Sequence, residues 1–161
     1  MKAFKVLLVD DEEDFVTGLS ERMKLHDVGS EVALDGEQAL KKVEEQNPDI
    51  VVLDLKMPGV HGLVVLDKVK KAHPDIQVVI LTAHGSDKDE EEAKRLGAFA
   101  FLRKPVALEQ LMEVVTKAYR KKVELSMMAS ALAEGGDIDS ALEMMEKTEK
   151  KEKSRARKGE K

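Results

Sequence analysis

The chain has 161 residues, 42% of them hydrophobic, which suits one packed domain with an appendage and is thin for two domains of ordinary size. It contains no cysteine, and this excludes disulfides, thiolate metal sites and a cysteine nucleophile. The net charge of -5 is uneven: residues 1–119 hold 16 Lys and Arg against 23 Asp and Glu (-7), and residues 120–161 hold 11 against 9 (+2), so the acidic body argues against general nucleic-acid binding.

The opening Met1-Lys2-Ala3-Phe4 passes straight into the apolar run Val6 to Val9, too short for a signal-peptide core or a membrane span. A soluble, cytoplasmic protein is the expectation. Val6 to Val9 reads as a strand that leads into Asp10-Asp11, and Phe15, Leu19 and Met23 at i, i+4 and i+8 predict a helix. Glu31 to Leu34 is a weaker run, expected at a sheet edge; an Asp35-Gly36 turn and a helix carrying Leu40 and Val43 follow. Beyond Pro48, the run Ile50 to Leu53 is closed by Asp54, and Leu63, Leu66 and Val69 predict a third helix ending before Pro74. Val78 to Leu81 leads into Thr82. The acidic stretch Asp87 to Glu92, with Ser86 as cap, predicts the start of a fourth helix that reaches Ala93 and Leu96 before Gly97. Phe99 to Leu102 leads into Arg103-Lys104-Pro105. Leu108, Leu111, Val114, Val115 and Ala118 form a fifth helical pattern, and Leu125, Met128, Ala129 and Leu132 extend it to about Ala133.

Four of the five runs are nearly continuous in Val, Ile, Leu or Phe, as expected of parallel strands covered on both faces. Strands alternating with helices imply right-handed crossovers, hence an α/β fold: a doubly wound five-stranded parallel sheet in the flavodoxin-like order 2-1-3-4-5, with helices on both faces. Such sheets bind ligands beyond the carboxyl ends of the strands, where the order reverses. That crevice lies between strands 1 and 3 and brings Asp10, Asp11 and Asp54 together, with Thr82 and Lys104 on the same rim.

Crowded carboxylates repel and need a compensating cation. Lys104 supplies one charge, and an all-oxygen, partly hydrated site favours Mg²⁺ over zinc. His26, His61, His73 and His84 are too widely separated in sequence to show metal-ligand spacing. A carboxylate beside a metal, an amine and a hydroxyl can act as a nucleophile toward phosphorus, giving an acyl phosphate on Asp54.

The run Val9-Asp10-Asp11, the stretch Asp54-Leu55-Lys56-Met57-Pro58 with Gly62 beyond it, Thr82-Ala83 and Lys104-Pro105 together resemble the receiver domain of two-component response regulators, the CheY-like family. The resemblance covers residues 3–120. It implies that Asp54 is the phosphoacceptor, that Asp11, Asp54 and the Lys56 backbone carbonyl bind Mg²⁺ directly and Asp10 through water, and that Lys104 and Thr82 contact the phosphoryl oxygens. Phe101 stands at the family's switch-aromatic position, Lys104-Pro105 at its cis peptide, and Lys56 and His84 at positions that tune dephosphorylation. As a strand residue, Phe101 also reads as a core aromatic, the commoner role for an apolar ring in a strand. The implied partners are a histidine kinase or phosphotransfer protein and a downstream protein, met through the face of helix 4, strand 5 and helix 5 or through the C-terminal extension. The implied state is a monomer or a phosphorylation-dependent dimer.

Two other classes compete with this reading. A phosphatase of the haloacid dehalogenase type wants a second aspartate two residues after the nucleophile, where Lys56 stands; a phosphorylation-independent adaptor has no need of the acidic site. After the receiver, residues 121–146 are expected to form a helical extension. Gly135-Gly136 would break the fifth helix, and a second short helix would start at Asp139 or Ser140, with Ser140 to Glu143 as a capping box and Leu142 and Met145 on its apolar face. Residues 147–161, rich in Lys and Arg and without large apolar residues, are expected to be disordered or a frayed helix.

Overall fold

The computed structural model describes residues 4–133. The expected break at Gly135-Gly136, the short helix after it and the charged tail lie outside the described residues. A first compact unit ends at Lys122 and a second begins at Val123.

Among the described residues, five strands alternate with five helices: β1 (Val6–Val9), α1 (Glu13–Leu25), β2 (Ser30–Ala33), α2 (Gly36–Gln46), β3 (Ile50–Leu53), α3 (Gly62–Ala72), β4 (Gln77–Thr82), α4 (Asp87–Arg95), β5 (Ala100–Arg103) and α5 (Leu108–Ala133). All four strand pairings are parallel, and the order is β2-β1-β3-β4-β5. The doubly wound α/β fold expected from the alternation is the fold observed.

β1, β3 and β4 are buried along their whole length, which explains why they carry no polar alternation. One side of the sheet packs Leu7, Val51, Leu53, Val78 and Ile80 against Val65, Leu66 and Val69 of α3 and Val43 of α2. The other packs Leu8, Val52, Val79 and Leu81 against Val16, Leu19 and Met23 of α1 and Leu111, Val115 and Ala118 of α5. Ile80, fully buried on the α2–α3 side, illustrates the scale. Ile80→Ala is expected to lower unfolding free energy by about 2–5 kcal/mol, read from urea denaturation, through lost transfer energy and the cavity left behind.

Several boundaries differ from expectation for physical reasons. β5 is the outer strand next to β4, as the expected order places it, and packs Phe101 on one face and Ala100 and Leu102 on the other, but it is only partly buried and begins at Ala100 rather than Phe99. β2 is shifted by one residue to Ser30–Ala33 because its pairing with β1 aligns Val6 with Ser30 and Val9 with Ala33. Leu34 has already left the ladder, its N–H donating to the Gln38 side chain. Asp35-Gly36 is no free turn: Asp35 caps α2 by accepting from the Gln38 N–H, and Gly36 is the first helical residue. Thr82 and Arg103 lie inside their strands, paired with each other, whereas the apolar runs alone put both just beyond the strand ends. At α4 the acidic run and its cap are as read: Ser86 and Asp89 form a reciprocal capping box.

Candidate functional site

The ladder hydrogen bonds continue one residue past the strand ends, and this aims the site residues. The Asp10 N–H donates to the Ala33 carbonyl (3.1 Å), Asp54 N–H to Val9 (3.0 Å) and Lys104 N–H to Thr82 (3.0 Å). The backbone of all three is therefore held by the rigid sheet. Asp10 and Asp54 are buried, at 4% and 5% exposure, while Asp11 faces solvent. One carboxylate oxygen from each of the three lies within 4.8 Å of the others.

The two buried acids are treated unequally. Asp10 accepts from the Glu12 N–H at 2.9 Å through Oδ1 and from Lys104 Nζ at 2.6 Å through Oδ2. Lys104 also lies 3.8 Å from Glu12 Oε1 and 4.2 Å from the centroid of the Phe15 ring, a cation over an aromatic face. Asp54, by contrast, has a buried Oδ1 without a hydrogen-bond partner. Burial pushes its carboxyl above the usual carboxylate range and the Asp10 charge adds to this; the Thr82 hydroxyl, the Lys104 ammonium and the Leu55 backbone pull the other way. At an effective dielectric near 20, two like charges at this spacing repel by roughly 3 kcal/mol. One lysine does not neutralise three carboxylates.

The sign of the Asp54 effect gives a pH prediction. A raised folded-state value means that the fold binds this proton more tightly than the unfolded chain. The contribution is fully present below the unfolded value and is lost as pH rises through the folded one. In chelator at neutral pH, Asp54→Asn is therefore expected to be more stable than the wild type. Melting curves across pH should show the difference closing as the wild type is acidified through the carboxylate range; an advantage independent of pH would contradict this origin.

The remaining candidates occupy the rim. Thr82 is fully buried at the end of β4, its hydroxyl accepting from the His84 N–H at 3.3 Å. Lys56, in the loop from β3 to α3, and His84, in the loop from β4 to α4, are exposed. Asp89 at the start of α4 is held below the usual carboxylate range chiefly by its bonds with Ser86, with smaller contributions from His61 and Lys56. The Lys104–Pro105 peptide is cis. Phe101 is partly buried on β5.

Phe15 and Glu12 are site neighbours that the sequence pattern does not single out, and for Gly62 the pattern shows the motif but not the packing. Phe15 appears in the helical pattern as a core residue, yet it lies beneath Lys104. Glu12 follows the Asp10-Asp11 pair closely, and that adjacency was the only hint of its role. Gly62, visible as a motif glycine, sits where a Cβ would come within 2.4 Å of the Asp54 carbonyl oxygen and 2.6 Å of the Leu55 Cα. The first turn of α3 is thus pressed against the backbone of Asp54.

The unpartnered Asp54 oxygen and the all-oxygen donor set fit a hard divalent cation. The response regulator receiver domain family matches residues 6–116. The chain belongs to this family. Sporulation initiation phosphotransferase F of Bacillus subtilis is 34% identical over 113 residues, covering 70% of this chain and 91% of that protein. The luminescence regulatory protein LuxO of Vibrio campbellii is 40% identical over 90 residues, 56% of this chain but 20% of that protein, so this receiver chain spans about a fifth of the length of such relatives. The crystal structure of a response regulator receiver domain protein from Clostridium thermocellum superposes with a TM-score of 0.73 at 31% identity, covering 76% of this chain and 98% of that one. Receiver domains are signalling switches rather than classical enzymes, and they generally bind Mg²⁺ at the acidic pocket that Asp10, Asp11 and Asp54 form here. Among the described residues no helix is long and apolar enough to cross a membrane.

Proposed function

We propose that this receiver accepts a phosphoryl group on Asp54 from the phosphohistidine of a histidine kinase or phosphotransfer protein, in a Mg²⁺-dependent reaction, and thereby changes its affinity for a downstream protein. The observation that carries the reading is the buried Asp54 carboxylate with one oxygen unpartnered, beside Asp10, Asp11 and Lys104.

In the transfer, an Asp54 oxygen forms a bond to phosphorus as the bond from phosphorus to the donor's imidazole nitrogen breaks, and the departing imidazole takes up a proton. Asp10, Asp11, Asp54 and the Lys56 backbone carbonyl would hold Mg²⁺, which supplies charge neutralisation for the carboxylates and the phosphoryl oxygens. Lys104, which contacts Asp10, Glu12 and Phe15, would hold a phosphoryl oxygen, and the buried Thr82 hydroxyl would donate to another. Both act by position and charge, the main levers in phosphoryl transfer. The protein so described catalyses only its own phosphorylation and dephosphorylation.

Residues 3–120 constitute the receiver in this reading and 121–161 an appendage, in a cytoplasmic protein. The downstream partner would meet the face of α4, β5 and α5 or the extension, with the chain a monomer or a phosphorylation-dependent dimer. Phe101 is the switch aromatic. Lys56 and His84, exposed on the two loops that border the site, set the lifetime of the acyl phosphate. Alanine at both positions is expected to change the dephosphorylation rate, and an unchanged rate would remove them from that role.

The direct test is incubation of the full chain with Mg²⁺ and acetyl phosphate, followed by intact mass and site mapping. One phosphoryl adduct at Asp54 is expected, absent in chelator and in Asp54→Asn. An adduct that persists in Asp54→Asn, or none in the wild type, would overturn the reading. Turnover of a phosphoester substrate would favour a phosphatase.

A further inference from the structure

Arg103 is the last residue of β5, next to Lys104, and its guanidinium is engaged on three sides. Its Cζ lies 5.1 Å from the centroid of the Phe101 ring. NH2 reaches Asp87 Oδ1 at 3.2 Å and NH1 reaches Glu90 Oε1 at 3.5 Å, both on α4. The ring beneath it is equally confined: a Cβ on Gly85 would come within 2.3 Å of Phe101 Cζ and 3.0 Å of Thr82 Cγ2. Phe101 therefore occupies space that only a glycine at position 85 leaves open, with the loop from Thr82 to Ser86 on one side and Arg103 near the ring.

An isolated exposed ion pair contributes little, and the Asp87 side chain is fully exposed. Glu90 is better sheltered, at 32% side-chain exposure, and a planar guanidinium can stack on a ring while donating to two carboxylates without further ordering. The three contacts share one rigid group. Moving the ring therefore disturbs both ion pairs, and shifting α4 disturbs the ring.

We propose that Arg103 is a positioning residue that clamps the Phe101 ring to α4, so that the state of Asp54, felt through Thr82 and the ring, is carried to Asp87 and Glu90 on the helix surface. This rests on the phosphoacceptor reading of Asp54 and names the side chains through which that reading reaches α4. Lysine would keep the charge and lose the stacked fork, so Arg103→Lys should behave closer to Arg103→Ala than to the wild type.

The test uses the full chain with ring-labelled phenylalanine, observed by NMR, the Phe101 signal being assigned among four phenylalanines with Phe101→Leu. Without phosphodonor, Arg103→Ala and the double variant Asp87→Asn/Glu90→Gln are expected to move the Phe101 ring signals in the same direction. Salt should move the wild type the same way and leave Arg103→Ala unmoved, because screening weakens exposed ion pairs. With Mg²⁺ and acetyl phosphate, the response of the backbone amides of residues 87–95 should fall by about five-fold in either variant relative to wild type, at equal adduct yield by mass, the scale of losing an exposed stack and two exposed pairs. Ring signals unchanged in both variants, or an undiminished α4 response, would overturn the clamp. Failure of the wild type to form an adduct would overturn the phosphoacceptor reading instead, and the ring and salt arms on the unmodified chain then decide the clamp alone.

Discussion

Lys104→Ala is expected to slow phosphorylation of Asp54 by about a hundred-fold or more, the scale of losing one preorganised charge-stabilising donor. The side chain is 12% exposed and its ammonium lies 2.6 Å from Asp10 Oδ2, 3.8 Å from Glu12 and 4.2 Å from the Phe15 ring centroid, so it has little freedom to be elsewhere. Alanine removes the positive charge and leaves Asp10 buried and unpaired. Breaking a buried pair from one side costs about 3–5 kcal/mol, so the variant should also melt earlier in chelator. Part of that loss should return on adding Mg²⁺, because a cation in the carboxylate cluster takes over the neutralisation of Asp10. Lys104→Arg keeps the charge and should recover stability better than rate, since a guanidinium is a different shape from an ammonium. Rates from intact mass against time, beside melting curves with and without Mg²⁺, separate the two effects. A full-speed Lys104→Ala would remove this lysine from the chemistry.

Gly62→Ala should be the most damaging single methyl in the domain. The added Cβ would meet the Asp54 carbonyl oxygen at 2.4 Å and the Leu55 Cα at 2.6 Å, both backbone atoms of a segment tied to β1 through the Asp54 N–H. No side chain can swing away to make room. Either α3 retreats, losing the packing of Val65, Leu66 and Val69 and the bond from the Gly62 N–H to the Leu55 carbonyl, or Asp54 shifts. A loss of about 3 kcal/mol is expected, at the upper end for overpacking because the clash is with backbone. Urea denaturation reads the stability, and a Mg²⁺ titration followed by NMR reads the displacement of the carboxylate. A variant of wild-type stability and metal response would show that α3 does not constrain Asp54.

The sheet was legible because buried parallel strands have to be apolar throughout, and Val6 to Val9, Ile50 to Leu53 and Val78 to Leu81 are. Edges were less so: β2 and β5 are half-exposed, so their composition no longer fixes where pairing starts, and register with β1 and β4 decides it. The acids, Thr82 and Lys104 stood out because they recur together at the ends of successive apolar runs, although a single strand-end charge is ordinary. Phe15 and Arg103 did not, since an aromatic on a helix and an arginine at a strand end are ordinary until a partner distant in sequence is placed against them. Asp35 and Gly36 were visible as a chain break; only the bond to the Gln38 N–H shows that the helix begins there.

The unpartnered oxygen of Asp54 sets stability and signalling against each other within one atom. A laboratory population of this chain selected only for survival of heating in chelator has an improvement open to it at the residue proposed to accept the phosphoryl group. Asp54→Asn should be among the first substitutions recovered, and the hardiest descendants of such a selection should be deaf to the donor.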